Sequence, residues 1–230
     1  RAYYGSVQFV DEWLGQVLEE VKNQGLWNNT FIIYTADHGD MLGDHYHWRK
    51  GFPYESSAHV PMIVRWPESM ESVVKLSRGS TMDQVTELRD ILPTFVDVTG
   101  AKLPTGAKKR DGIPITCILK DPQGCKWREH LDLEHDIVYN KTVHWNALTD
   151  GKMKYIFRAF FGDEQLFDLT LDPKETHNLA EDAKYKDTLE LWRNRMVKQF
   201  EQEARGVEWV KDGKLQQRVK GQLYSPNYPQ

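Results

Sequence analysis

Residues 35–50 read Thr-Ala-Asp-His-Gly-Asp-Met-Leu-Gly-Asp-His-Tyr-His-Trp-Arg-Lys, placing three carboxylates, three imidazoles and two cations directly behind the apolar run Phe31-Ile32-Ile33-Tyr34. Carboxylate oxygens and imidazole nitrogens are ligands for divalent cations, and a nearby ammonium suits an anion. A buried strand ending here would deliver Asp37 and His38 to its carboxyl end, where open α/β sheets place ligands. Neighbours on a strand point to opposite faces, so both reach one ion only if the chain leaves the strand, and Gly39 permits a sharp turn there. His45 and His47 alternate around Tyr46, so at most one would face a pocket from extended backbone. Each reads as a hydrogen bonder that orders the loop, with Asp40 and Asp44 orienting the imidazoles.

The elements that must position these residues follow from periodicity. Val7, Val10, Leu14, Val17, Leu18 and Val21 form one stripe of an amphipathic helix, ended by Gly25. Strands are predicted at 31–34 and 62–66, the second stopped by Pro67, giving the helix, strand, loop, strand rhythm of an α/β sandwich. Residues 82–98 have helical spacing with a break at Pro93, and the Pro-, Gly- and Lys-rich stretch 100–124 reads as a connector. Short strands at 136–139, 143–148, 155–159 and 165–169 suggest a small antiparallel sheet. A last helix spans 183–204 with Leu189, Trp192, Met196 and Phe200 on one face, and a tail from Arg205 wraps the surface or lacks order.

Asp37-His38-Gly39, with Lys50 thirteen residues after the Asp and then Tyr54-Glu55-Ser56-Ser57-Ala58-His59-Val60-Pro61, resembles the second half of a sulfatase, in the alkaline-phosphatase-like superfamily. The resemblance extends through the helix from Tyr3 to Asp11, Pro61-Met62-Ile63-Val64-Arg65-Trp66-Pro67, the run from Trp145 to Ile156, Gln165-Leu166-Phe167-Asp168-Leu169, Asp172-Pro173 and Asn178-Leu179, covering roughly residues 1–200. It implies a divalent metal, calcium first and manganese as an alternative because His38 offers nitrogen, with Asp37 and His38 as ligands. It also implies Lys50 as the catalytic residue that folds over the sulfate near the bridging oxygen, and Glu134, His135 and His144 as substrate contacts, because in similar sequences the carboxyl-terminal subdomain approaches the pocket. Polar strand residues around a core Trp145 remain the plainer reading of that last set.

Sulfatases carry an early Cys-or-Ser, any residue, Pro, any residue, Arg signature whose first residue becomes formylglycine. Neither Cys117 nor Cys125 fits it, and the paired early aspartates that complete the family's metal site are missing. The chain, beginning at Arg1, therefore reads as the carboxyl-terminal portion of a sulfatase: residues 1–124 from the catalytic α/β domain with its connector, 125–204 a small α+β subdomain with an antiparallel sheet and helix, and 205–230 a tail. Its expected partners are a sulfated small molecule or glycan and the amino-terminal part of the same protein, and alone it would be inactive and expose apolar surface. Two other readings stand beside it: a phosphonate or phosphate ester hydrolase of the superfamily, and a non-catalytic relative that binds sulfated glycans.

Composition narrows the field further. The 230 residues are 40% hydrophobic with a formal net charge of −4 and a sequence pI near 6.1, which gives no basic field for nucleic acid. The only basic cluster, Lys108-Lys109-Arg110, reads as a solvated loop, and no apolar run reaches the length of a membrane span. Cys117 and Cys125 flank an Asp-Pro and Gly turn and are either a small disulfide hairpin or unrelated thiols. Sequons at Asn28 and Asn140 fit a secreted or lysosomal protein.

Overall fold

The computed structural model describes residues 1–104, 111–138 and 140–221, which group into two compact units. The cluster Lys108-Lys109-Arg110, Tyr139 at the end of a predicted strand, and residues 222–230 of the tail lie outside the described residues.

The first unit joins Arg1–Thr35, Pro61–Ser80 and Arg89–Cys125. Helix α1 (Ala2–Asn23) is ended by Gly25 in the left-handed region at φ 68°. It buries none of its residues, so Val7, Val10 and Val17 of its stripe are exposed with Tyr4, Phe9 and Trp13 beside them. Strand β1 (Ile32–Thr35) pairs antiparallel with β2 (Met62–Arg65), Ile33 facing Val64.

The helix predicted over 82–98 is shorter than its spacing suggested. Residues 82–87 are irregular, a 3-10 turn covers Leu88–Asp90, and α3 runs Ile91–Thr99. Pro93 is the third residue of α3, where the backbone N–H has no acceptor inside the helix, so the proline starts the helix rather than breaking it.

The supposed connector is also structured. It contains α4 (Thr116–Lys120) with Ile115, Ile118 and Leu119 buried. Cys117 and Cys125 form a disulfide around its end, which settles the alternative left open by the sequence. Thr94 Oγ1 donates to Asp90 O at 2.6 Å and accepts from Ile115 N–H at 2.8 Å, tying this segment to α3.

The second unit combines Ala36–Val60, Thr81–Leu88 and the chain from Lys126 onward. Strands β3 (Leu131–His135), β4 (Trp145–Thr149), β5 (Met153–Arg158) and β6 (Asp163–Asp168) form an antiparallel sheet in sequential order. Strand β3 lies ahead of the predicted 136–139; its alternation rests on only two apolar residues, Leu131 and Leu133, too few to stand out.

Successive side chains on these strands serve opposite faces. Leu148, Tyr155, Phe157 and Leu166 pack on Leu189, Trp192, Met196 and Phe200 of helix α5 (Lys186–Gln202), the stripe its spacing predicted. Trp145, Ala147, Ile156 and Phe167 pack on Met41 and Tyr54 from the charged segment. The small antiparallel sheet packed with a carboxyl-terminal helix is therefore present, and its second face holds the candidate site.

The described part of the tail, to residue 221, folds back on this unit. Strands β7 (Val210–Lys211) and β8 (Lys214–Leu215) form a hairpin whose turn residues Asp212 and Gly213 both have positive φ, the geometry Asp-Gly favours. Trp209 lies between the guanidiniums of Arg205 and Arg218, at 4.6 and 3.9 Å from its ring centre. Among the described residues no helix is long and apolar enough to cross a membrane.

The α5 face sets the stability of the sheet unit. Replacing Trp192, 2% exposed, by Ala is expected to cost about 3–5 kcal/mol in urea unfolding, the usual loss for a large buried aromatic.

Candidate metal and anion site

Asp37 follows the end of β1 by two residues, and its contacts are local. One carboxylate oxygen accepts the His38 backbone N–H at 3.0 Å, and the other lies 3.4 Å from His38 Nε2. His38 Nδ1 faces the Gly39 carbonyl at 2.9 Å. A carbonyl only accepts, so Nδ1 carries a proton and donates to it, while Nε2 faces Asp37 Oδ2.

Such a pair suits two ligands of one cation, with metal bonds of about 2.0–2.4 Å each. Asp37 is largely open to solvent. Among the described residues no group of three or more His, Cys, Asp and Glu is arranged to hold a metal ion.

Gly39 serves this corner by close approach. Its φ is not positive, but a Cβ would lie 2.1 Å from Ser56 O. Its N–H donates to Ser57 O at 2.9 Å. Helix α2 (Glu55–Ala58) is thus pressed against the corner by a contact only glycine allows.

The loop from Asp40 to Gly51 is a fixed structure. Asp40 Oδ1 accepts the backbone N–H groups of Leu42 and Arg49 at 3.0 and 3.1 Å, and Gly43 N–H donates to His47 O at 2.8 Å. Leu42, His45, Tyr46 and Arg49 all have positive φ, unfavourable for side-chain-bearing residues. His45 stacks on Tyr54 at 3.8 Å and its Nε2 donates to Lys174 O, while His47 stacks on Phe52 at 4.0 Å.

The two histidines therefore order the loop as expected. The expected partners of their imidazoles differ: Asp40 binds backbone and Asp44 accepts the Ser56 hydroxyl at 2.5 Å. Burial and the nearby His45 hold His47 below the usual imidazole range.

Lys50 is exposed and has no ion-pair partner among the described residues. Its backbone is held on both sides. Arg49 O accepts from Met41 N–H at 2.7 Å, and Gly51 O accepts from Trp145 Nε1 at 2.8 Å. Gly51, at φ 98°, also abuts His135, whose Nε2 would lie 3.2 Å from a Cβ there. His135 Nδ1 donates to Val143 O at 3.1 Å, and Nε2 is the ring nitrogen toward Gly51.

The structure thus pairs Asp37 with His38 and sets His135 beside the residue next to Lys50. Glu134 and His144 are engaged elsewhere. Glu134 accepts from Arg205 at 2.5 Å and from Asn146 at 3.3 Å. His144 is 5% exposed, 3.4 Å from Arg218 Nε and edge-on to Trp209. Burial and the Arg218 charge push its imidazole below the usual range.

Sequence reasoning missed the charges that sit behind α2. Lys154, 0% exposed on β5, bridges Glu55 at 2.6 Å and Glu175 at 2.9 Å and donates to Pro53 O at 3.0 Å. A single lysine inside the apolar run Met153-Lys154-Tyr155-Ile156-Phe157 was the available signal. Burial opposes ionisation of Glu55, but the hydrogen bond from His59 and the Lys154 charge overcome it and hold the carboxyl down at about 2. Burial wins at Glu175, which is pushed up despite Lys154. His59 Nδ1 donates to Glu55 at 2.7 Å, and that bond raises its imidazole against burial.

Comparison with known proteins places this geometry in a family context. The family model described as Sulfatase matches residues 1–101. An arylsulfatase of Clostridium perfringens is 34% identical over 89% of this chain, and the chain spans 40% of that relative's length. A protein solved in complex with its substrate D-glucosamine-2-N,6-O-disulfate superposes with a TM-score of 0.75 at 25% identity, over 87% of this chain and 40% of the other. The phosphonate monoester hydrolase of Agrobacterium radiobacter gives a TM-score of 0.72 at 29% identity over 87% of this chain and 40% of its own.

Two outcomes are expected from the local geometry. Gly39→Ala should destabilise the sheet unit by about 1–3 kcal/mol in chemical unfolding, since the Ser56 carbonyl must move to admit the methyl. For His59→Gln the sign follows from a raised folded value: the His59 contribution is complete below the ordinary value of 6.5 and is lost as pH rises from there through the higher folded value. The loss of Tm against wild type should therefore be larger near pH 5.5 than at pH 8.5, and an equal loss at both would contradict the Glu55 pairing.

Proposed function

We propose that this chain, which belongs to the sulfatase family and carries part of its alkaline-phosphatase-like fold, serves the hydrolysis of sulfate monoesters, with Asp37 and His38 holding a divalent cation and Lys50 contacting the sulfate. The observation that carries this reading is the pairing of Asp37 Oδ2 with Nε2 of His38, 3.4 Å apart, with the Asp37 carboxylate open to solvent. Calcium is the first choice of ion, and the nitrogen donor keeps manganese as the alternative. Such an ion, when bound, neutralises charge on the sulfuryl oxygens.

Lys50 is suited to a complementary task. Its ammonium is unpaired among the described residues while its backbone is anchored through Arg49 and Gly51. A donor fixed at its base but free at its tip can hydrogen-bond a sulfate oxygen and stabilise charge that develops on the departing oxygen. His135, beside Gly51, is the best-placed of the predicted substrate contacts. Glu134 and His144 would act through Arg205 and Arg218, which hold them.

The remaining groups belong to residues outside this chain. Both cysteines are consumed by their mutual disulfide, so a formylglycine nucleophile would come from the amino-terminal part of the protein. The substrate class is an aryl or sugar sulfate, in keeping with the names of the relatives. The disulfide and the exposed sequon residues Asn28 and Asn140 support a secreted or lysosomal setting. A phosphonate ester is the second reading, favoured by the 29% identity to a phosphonate monoester hydrolase.

In the full-length protein, Lys50→Ala is expected to lower kcat/KM for 4-nitrophenyl sulfate by about 10²–10³-fold, the scale of one lost transition-state donor. Undiminished turnover would reject the assignment of Lys50. Faster hydrolysis of a phosphonate monoester than of the sulfate by the wild type would select the second reading.

A further inference from the structure

Two landmarks of the sequence have no part in that chemistry: Lys154, inside the run from Trp145 to Ile156, and Glu175, just after Asp172-Pro173. Both are buried, at 0% and 3% exposure. Lys154 lies on the strand between Met153 and Tyr155, whose neighbours pack toward α5, so its side chain takes the face of the sheet that carries the charged segment. Its ammonium donates to the Pro53 carbonyl at 3.0 Å and forms ion pairs with Glu55 and Glu175 at 2.6 and 2.9 Å.

Glu175 uses its other oxygen to accept the Glu55 backbone N–H at 2.6 Å. It does so from a left-handed conformation, φ 55°, which a glutamate adopts only when its surroundings impose it. The first residue of α2 is thus held by its side chain through Lys154 and by its backbone through Glu175. Two residues further on, Ser57 O takes the Gly39 N–H at 2.9 Å, and Gly39 O in turn takes His38 Nδ1 at 2.9 Å. Short polar contacts at either end, joined by the α2 backbone from Glu55 to Ser57, connect the buried ammonium to the imidazole that faces Asp37.

We infer that Lys154, clamped by Glu55 and Glu175, is a positioning residue that fixes the Asp37-His38 corner for its cation. The inference rests on the reading of that corner as a metal site. A cluster that only filled space would be served as well by apolar residues of similar volume, since buried ion pairs add little net stability. What the charges add is direction: the ammonium accepts only one placement of Glu55, and α2 follows. Contacts of this kind behind metal ligands typically change ion affinity on the order of 10- to 100-fold when removed.

The test compares full-length wild type with Lys154→Met and Glu175→Gln. Calorimetric titration with calcium and with manganese reads the corner, 4-nitrophenyl sulfate turnover reads the reaction, and amide exchange of peptides covering 36–40 and 55–59 reads the anchoring. Lys154→Met should fold with an unchanged circular dichroism spectrum and a cation Kd raised on the order of 10-fold or more. Its kcat should fall while KM changes little, and both peptides should exchange faster than those from β4 and β5.

Glu175→Gln keeps the acceptor for Glu55 N–H and should show the same pattern at smaller amplitude. It decides the matter if Lys154→Met does not fold. Faster exchange with unchanged cation affinity would reduce the cluster to a structural role and overturn the inference, as would unchanged exchange. A wild type that binds neither ion would overturn the metal reading itself, and the exchange data would then still report whether the anchor exists.

Discussion

A fully buried ammonium shared by two carboxylates is the interaction around which the site unit is organised. Taking such charges out of water costs several kcal/mol each, and only close pairing with every donor matched recovers it. Lys154 has the close pairing, with ion pairs at 2.6 and 2.9 Å and one hydrogen bond, to the Pro53 carbonyl, at 3.0 Å. One cation cannot neutralise two carboxylates, and the excess falls on the deeper of the two: Glu175 is pushed up while Glu55, which also has His59, stays ionised. The charged segment is therefore tied to the sheet by electrostatics as well as by the apolar contacts of Met41 and Tyr54.

Periodic elements were legible in the sequence because one surface pattern dominates each. The α5 stripe and strands β4 to β6 were readable for that reason, with ends shifted by one to a few residues. Strand β3 was missed because only Leu131 and Leu133 are apolar in it, too short an alternation to stand out, and the helix over 82–98 was overextended because helical spacing at Val85 and Leu88 is not followed by α-helical backbone before Ile91. The connector concealed α4, whose burial depends on contacts with α3 distant in sequence.

The site divides in the same way. Asp37, His38 and Lys50 stood out because their types and spacing are local properties. The groups behind them did not, since Lys154 and Glu175 meet Glu55 only after the sheet has formed. Gly39 was picked out for the wrong physical reason. It was read as a hinge, and its value lies in the space it leaves for the Ser56 carbonyl.

Four non-glycine residues with positive φ in the Asp40–Gly51 loop each cost on the order of 1–2 kcal/mol relative to ordinary backbone. Asp40, the two stacked imidazoles and the Trp145 indole supply the counterweight. A loop held this way reaches its working shape before any ligand arrives, and little ordering is left to be done on binding.

The alternation of the four-stranded sheet has one more effect. Because odd and even positions of β5 serve different layers, sliding that strand by a single residue would thrust a naked ammonium among Trp192, Met196 and Phe200 and strand two carboxylates opposite an aromatic ring. Lys154 thereby acts as a proofreading mark during assembly: misthreaded sheets are penalised electrostatically, and the same atom that braces the corner certifies that the strands were laid down in step.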